Sequence, residues 1–104
     1  MISIYKVVKE DFTTMFAIDF SDEDATFFFF VDGEWEEDSD KADIKSMEFI
    51  YGESVEVNSL KNLDLGESVE LSEGGSITCL VNFDNNDGNV LEFLDSYAKM
   101  MEMV

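Results

Sequence analysis

The chain has 104 residues, 45% of them hydrophobic and ten of them Phe, with 25 acidic side chains against six lysines, no arginine and no histidine, for a formal charge of −19. That length suits one domain around one core, and the apolar share is too high for a disordered acidic tail, which stays unfolded because it cannot bury enough surface to offset chain entropy. The charge excludes direct binding to nucleic acid or to an anionic membrane, both of which need basic surface, and favours cationic partners.

Residues 2–8, ISIYKVV, are rich in β-branched and aromatic side chains and predict a first strand. After a polar break at Lys9, Glu10 and Asp11, the alternation in FTTMFAIDF puts Phe12, Thr14, Phe16, Ile18 and Phe20 on one face of a second strand. Ser21 to Ala25 then read as a hairpin loop, and Phe27 to Val31 as the return strand. Apolar on both faces, that return strand is expected either in the centre of a sheet with cover on each side or against a helix on one side.

The chain then changes character. Asp32-Gly33 signals a turn, and Glu34, Glu36, Glu37, Asp38, Asp40 and Asp43 come after it, with Lys41 among them. If residues 34 to 40 are extended, Glu34, Glu36, Asp38 and Asp40 share a face at about 6.6 Å intervals, roughly every second phosphate along a DNA strand. Trp35 would anchor the segment. For residues 41–51 two readings compete. In one, Asp40 caps a short helix with Ile44, Met47 and Tyr51 on one face, ended by Gly52. In the other, a strand turns Met47, Phe49 and Tyr51 inward.

The sequence GESVEV at 52–57 is echoed by GESVEL at 66–71. Two copies are too few for a solenoid, so they read as two strands, each starting after a glycine turn. Leu60, Leu63 and Leu65 are expected to pack the intervening loop onto the core. A Gly-Gly turn leads to a strand over Ser76–Phe83, with Ile77, Cys79, Val81 and Phe83 on one face and a hairpin partner at 67–72. The C-terminal segment predicts a helix. Val90, Phe93, Leu94, Tyr97, Met101 and Val104 fall on one side, Asp87 or Asn89 supplies the cap, and Leu91, Met100 and Met103 widen the apolar stripe enough to serve a partner or a second copy.

Catalytic and metal motifs are scarce. Without histidine there is no Ser-His or Cys-His pair and no imidazole ligand. One cysteine forms no intramolecular disulfide, and Cys79, amid apolar residues, reads as a structural thiol. Asp84 to Gly88 has the flavour of a calcium loop, but with Gly88 at loop position six the first and twelfth ligand positions fall on Phe83 and Leu94. No paired carboxylates are marked for acid and base chemistry, and no glycine-rich phosphate loop occurs. The N-terminus lacks the apolar segment of a signal peptide, and no run approaches the ~18 apolar residues of a membrane span. The expectation is a cytoplasmic protein that is not an enzyme and uses no metal or cofactor.

The expected fold is a single α+β domain over residues 1–104: a mainly antiparallel sheet of about five to seven strands, a C-terminal helix packed on it, and a short helix near residues 41–51. In size and charge the chain resembles the acidic DNA-mimic inhibitors that phages direct against restriction enzymes, CRISPR nucleases and other host machinery. That resemblance implies a basic nucleic-acid-binding protein as partner, such as a nuclease, a restriction or CRISPR effector, or a polymerase. The contact residues expected are Asp32, Glu34, Trp35, Glu36, Glu37, Asp38 and Asp40, with the loop residues Asp22, Glu23 and Asp24 next to them. The same physics suits an immunity protein that neutralises a nuclease toxin. A third reading is a structural or adaptor subunit that binds through its C-terminal helix, its charge serving only solubility or salt adaptation.

Overall fold

A computed structural model describes residues 1–21, 23–38, 40–72, 74–84 and 89–101. The elements in chain order are β1 (Ile2–Val8), β2 (Thr13–Phe20), β3 (Asp24–Val31), β4 (Glu34–Glu37), β5 (Ala42–Asp43), β6 (Met47–Ile50), β7 (Glu53–Glu56), α1 (Val57–Lys61), β8 (Ser68–Glu70), β9 (Ser76–Phe83) and α2 (Val90–Met100). Seven strands form one antiparallel sheet in the order β4-β3-β2-β1-β9-β8, with β5 beside β4 along the same edge of β3, while β6 and β7 form a separate hairpin. This is the antiparallel α+β architecture with a C-terminal helix that the strand periodicity implied.

Both faces of the sheet are covered, which explains why the Phe27 to Phe30 run is apolar without alternation. On one face Tyr5, Val7, Phe16, Ile18, Phe27, Ile77 and Cys79 pack under Ile50, Val55, Val57 and Leu60 of the β6–β7 hairpin and α1. On the other, Ile4, Ala17, Phe28 and Trp35 pack under Leu94 and Ala98 of α2. The Tyr5 hydroxyl donates to the Leu60 carbonyl at 2.8 Å, tying the central strand to α1. On the outer layer, the two-residue turn Tyr51-Gly52 has positive φ at both positions, 50° and 85°, and Asp32-Gly33 between β3 and β4 does the same at 52° and 83°. Such turns match the twist of the strands they join, and glycine takes the second position without strain.

Several sequence expectations need correction. Residues 41–51 hold no helix: β5, a turn and β6 occupy them, and the short helix lies later, at Val57–Lys61. Gly52 therefore closes a hairpin instead of ending a helix. The strand alternative holds for β6, but with its faces inverted. Pairing with β7 turns Glu48 and Ile50 toward the sheet with Val55 and Glu53, leaving Met47 and Phe49 outside. In β9 the register with β1 shifts between Val81 and Cys79, so Leu80 is an extra residue. This bulge resets the alternation: Ile77 and Cys79 face the hairpin, whereas Val81 and Phe83 join the α2 side. Leu65 is exposed and packs nothing onto the core. Asn89 caps α2 by accepting from the Glu92 N–H at 3.1 Å; Tyr97 packs partly buried on the core as the predicted stripe has it, whereas Phe93 and Met101 are exposed and Ala98 is buried instead. Asp87, Met103 and Val104 lie outside the described residues.

Candidate functional site

The site begins with the β3–β4 hairpin. Its two-residue turn fixes the register, pairing Val31 with Glu34, Phe30 with Trp35, Phe29 with Glu36 and Phe28 with Glu37. Glu34 and Glu36 share one face of an edge strand and are exposed. Glu37 is also exposed but belongs to the opposite face, so the two sides of the edge are both acidic. The strand ends there: Asp38 N–H donates to the Phe27 carbonyl, and one Asp38 carboxylate oxygen accepts the Asp40 N–H at 3.1 Å. The evenly spaced row of four carboxylates expected over residues 34 to 40 is therefore limited to Glu34 and Glu36, because side-chain alternation stops where the strand stops.

Beyond the bend, β5 continues the acidic edge on the opposite face, because Ala42 turns to the hairpin side and Asp43 to the α2 side. It returns to β3, pairing Asp43 with Asp24 and Ala42 with Ala25, and the Ile44 N–H donates to the Glu23 carbonyl. The β4–β5 edge thus runs the length of β3 and carries, from one end to the other, Asp32, Glu34, Glu36, Glu37, Asp38, Asp40, Asp43, Asp24 and Glu23, all exposed. Lys41 and Lys45 are the cations of the same stretch. Among the described residues the ion pair within 4 Å is Lys9–Glu53, away from this edge, so among them no carboxylate of the edge sits in a contact ion pair. Asp22 lies outside the described residues.

Trp35 must be removed from the expected contact surface. It is 6% exposed, sits beneath α2 and meets Phe30 edge-on at 5.2 Å between ring centres. Alternation explains this: a residue between Glu34 and Glu36 points to the other face, where Phe30 waits across the hairpin. The exposed aromatic beside the acidic edge is Phe49, 77% exposed on β6, with Met47 next to it on the same outward face. A cavity of about 170 Å³ lies where Asp38, Asp40 and Ala42 meet β6, lined by Phe27, Phe29, Asp38, Asp40, Glu48 and Phe49 among others. Sequence reasoning missed Asp43, Glu48 and Phe49 as site residues. Asp43 was visible as part of the acidic run; the outward aim of Phe49 comes only from the β6–β7 register.

The cysteine and two of the tyrosines are held wholly or partly away from solvent. Burial pushes the Cys79 thiol pKa up, and its S–H donates to Asn82 Oδ1 at 3.3 Å, which offsets this only in part. Tyr5 and Tyr51 are likewise raised by burial. Among the described residues, no group of three or more acidic, Cys or His side chains is placed to hold a metal ion. Among those residues, too, no helix is long and apolar enough to cross a membrane. Compared with known proteins, the chain matches no family model, no curated protein and no solved structure.

Proposed function

We propose that the protein is an acidic nucleic-acid mimic: a non-enzymatic inhibitor that seats its β4–β5 edge in the basic nucleic-acid-binding cleft of another protein. The observation that carries this reading is the continuity of the edge, where β4 and β5 together border β3 with exposed carboxylates on both faces. Eight residues of β3 at ~3.4 Å each span about 27 Å, the axial length of roughly eight phosphates in one DNA strand. Spacing along the edge is irregular, so lysine and arginine side chains of the target would reach it as they reach phosphates, by length and flexibility. A target built for a polyanion recognises a field as well as a pattern, and complementary fields speed encounter and reject wrong partners.

The reading places the protein in the cytoplasm beside a nuclease, a restriction or CRISPR effector, or a polymerase. An immunity protein against a nuclease toxin would use the same edge in the same way. The adaptor reading draws on a different surface, Met100 and Met101 at the end of α2, which are 71% and 55% exposed.

The test compares the native chain with a variant in which Glu34, Glu36, Asp38 and Asp40 are all lysine. In affinity capture from the native host, the native chain is expected to retain a basic partner that short duplex DNA displaces, and the variant is expected to lose it. Capture that survives the four substitutions, or that DNA leaves untouched, would refute the mimic reading and turn attention to α2.

A further inference from the structure

The cavity beside Phe49 differs in kind from the rest of the acidic edge. Its floor is aromatic and aliphatic, from Phe27, Phe29 and Ile50, and its rim carries Asp38, Asp40 and Glu48, with Phe49 standing open to solvent at its mouth. Phe27 and Phe29 lie 6.0 Å apart between ring centres and are inclined by 32°. A bare carboxylate edge attracts any cation, whereas this recess joins ring faces to carboxylates within one small volume. About 170 Å³ is many times the ~10–15 Å³ a single water needs and has room for a planar cation with part of its stem.

Resting on the inhibitor reading, and naming the partner group it would engage first, we infer that this recess is a receptor for one arginine side chain of the target. A guanidinium is flat, weakly hydrated and able to stack on a ring while its N–H groups reach carboxylates in the plane; a lysine ammonium is compact, strongly hydrated and makes poorer use of a ring floor. Phe29 provides a ring at the floor, Phe49 stands at the mouth on the outward side of β6, and Asp38, Asp40 and Glu48 are the acceptors. One of these acceptors is held in place locally, Asp38 by the Asp40 N–H. Lys41, which also lines the recess, moderates the repulsion among the three carboxylates until the guest arrives. The recess thereby supplies the desolvated anchor that a charged edge lacks, since ion pairs at a wet rim add little affinity compared with a central, ring-lined pocket.

The experiment titrates the full-length protein with ethylguanidinium chloride and, separately, with butylammonium chloride at matched ionic strength, monitoring the ring protons of Phe27, Phe29 and Phe49 by NMR. Ethylguanidinium is expected to saturate with its largest shifts on Phe49 and Phe29 and to bind more tightly than the ammonium. Phe49→Ala should weaken it about two- to fivefold, and Asp38→Asn combined with Asp40→Asn should weaken it further. Because Phe49 is mostly exposed, Phe49→Ala is expected to melt within a few degrees of the native chain, and Phe49→Trp should retain binding. Equal response to the two cations, shifts scattered over other carboxylates, or binding unchanged in Phe49→Ala would each overturn the inference. Its failure is separable from that of the inhibitor reading. Loss of capture in the four-lysine variant together with a guanidinium that misses the recess sinks only the inference, while capture that survives the four lysines sinks the inhibitor reading whatever the probe does.

Discussion

Replacing Lys9 with Met should be among the most damaging single changes outside the apolar core. Lys9 Nζ lies 3.7 Å from Glu53 Oε1 and donates to the Tyr51 carbonyl at 3.2 Å, so one side chain from the β1–β2 turn fastens the tip of the β6–β7 hairpin to the sheet. Glu53 is 5% exposed, an unusual place for a carboxylate. It accepts from the Ser72 hydroxyl at 2.6 Å, and that bond survives the substitution, as does whatever else holds the group. Removing one partner of a buried ion pair costs about 3–5 kcal/mol because the remaining charge is stranded. The separation here is at the long end for a pair and the Ser72 bond persists, so the expected loss is about 2–3 kcal/mol, a large share of the 5–15 kcal/mol typical of a domain. In a chain of this size that lowers the melting temperature by roughly 10–20 °C. Urea unfolding of Lys9→Met, Glu53→Gln and the double variant gives the coupling directly, and the double variant should recover part of the single loss because no charge is left behind. A Lys9→Met stability within about 0.5 kcal/mol of the native chain, the range of an ordinary surface substitution, would show that partners other than Lys9 compensate Glu53.

Stability should fall as pH rises above about 10, where an unfolded tyrosine ionises. Burial raises the Tyr5 pKa above that value, so the native state holds a proton that the unfolded state gives up; by linkage this removes about 1.4 kcal/mol per pH unit for one such group. Urea midpoints at pH 8 and 11 check it, and a flat profile refutes it. Tyr5→Phe should lessen that slope while costing about 1–3 kcal/mol at pH 7, since the Leu60 carbonyl loses its donor. Adding salt from low to physiological strength should raise the melting temperature, because repulsion among 25 acidic groups is screened over a Debye length of ~8–10 Å; no change would mean that the charges do not act as one field. Gly75→Ala should destabilise strongly or prevent folding, as an added Cβ would run into the Val8 carbonyl at a φ of 104° that L residues rarely adopt. Expression as a folded domain with native circular dichroism would contradict that packing.

The parts of the fold legible in the sequence are those in which one local rule acts alone. Alternation in residues 13–20, the β-branched run at 2–8 and a helix from Val90 each formed as written, although Phe93 and Met101 of the expected inner stripe are exposed. Residues 41–51 failed because Ile44, Met47 and Tyr51 satisfy a helical stripe while Glu48 and Ile50 satisfy a strand. The pairing with β7, which decides between them, involves residues beyond that window. The dipeptides Asp32-Gly33 and Tyr51-Gly52 build turns of the same geometry, yet only the first looks like a turn, because aspartate is at home at positive φ and tyrosine is not. Trp35 is the opposite case: the alternation that groups Glu34 with Glu36 already implies a tryptophan on the other face, away from the carboxylates it was expected to join. The acidic edge itself was legible as charge but not as shape, since nothing in residues 34–43 says that β5 returns to β3.

An acidic edge has a simpler use that has to be separated from partner binding. Exposed edge strands invite pairing with other sheets, and charged side chains are a common defence. The opposite edge of this sheet, β8, is only three residues long and carries Glu70, with Glu67 just before it, and brevity plus a little charge is enough there. The β4–β5 edge is acidic on both faces, in its turn and beyond its end, more than blocking a neighbouring strand requires. Its strands β4 and β5 carry no cation, although lysine guards an edge equally well. Lysine at positions 34, 36, 38 and 40 therefore keeps the guard and reverses the field. A variant that remains monomeric and folded but no longer captures a DNA-displaceable partner would assign the sign of the charge to recognition. One that stays monomeric and still captures it would leave edge protection as the sufficient account.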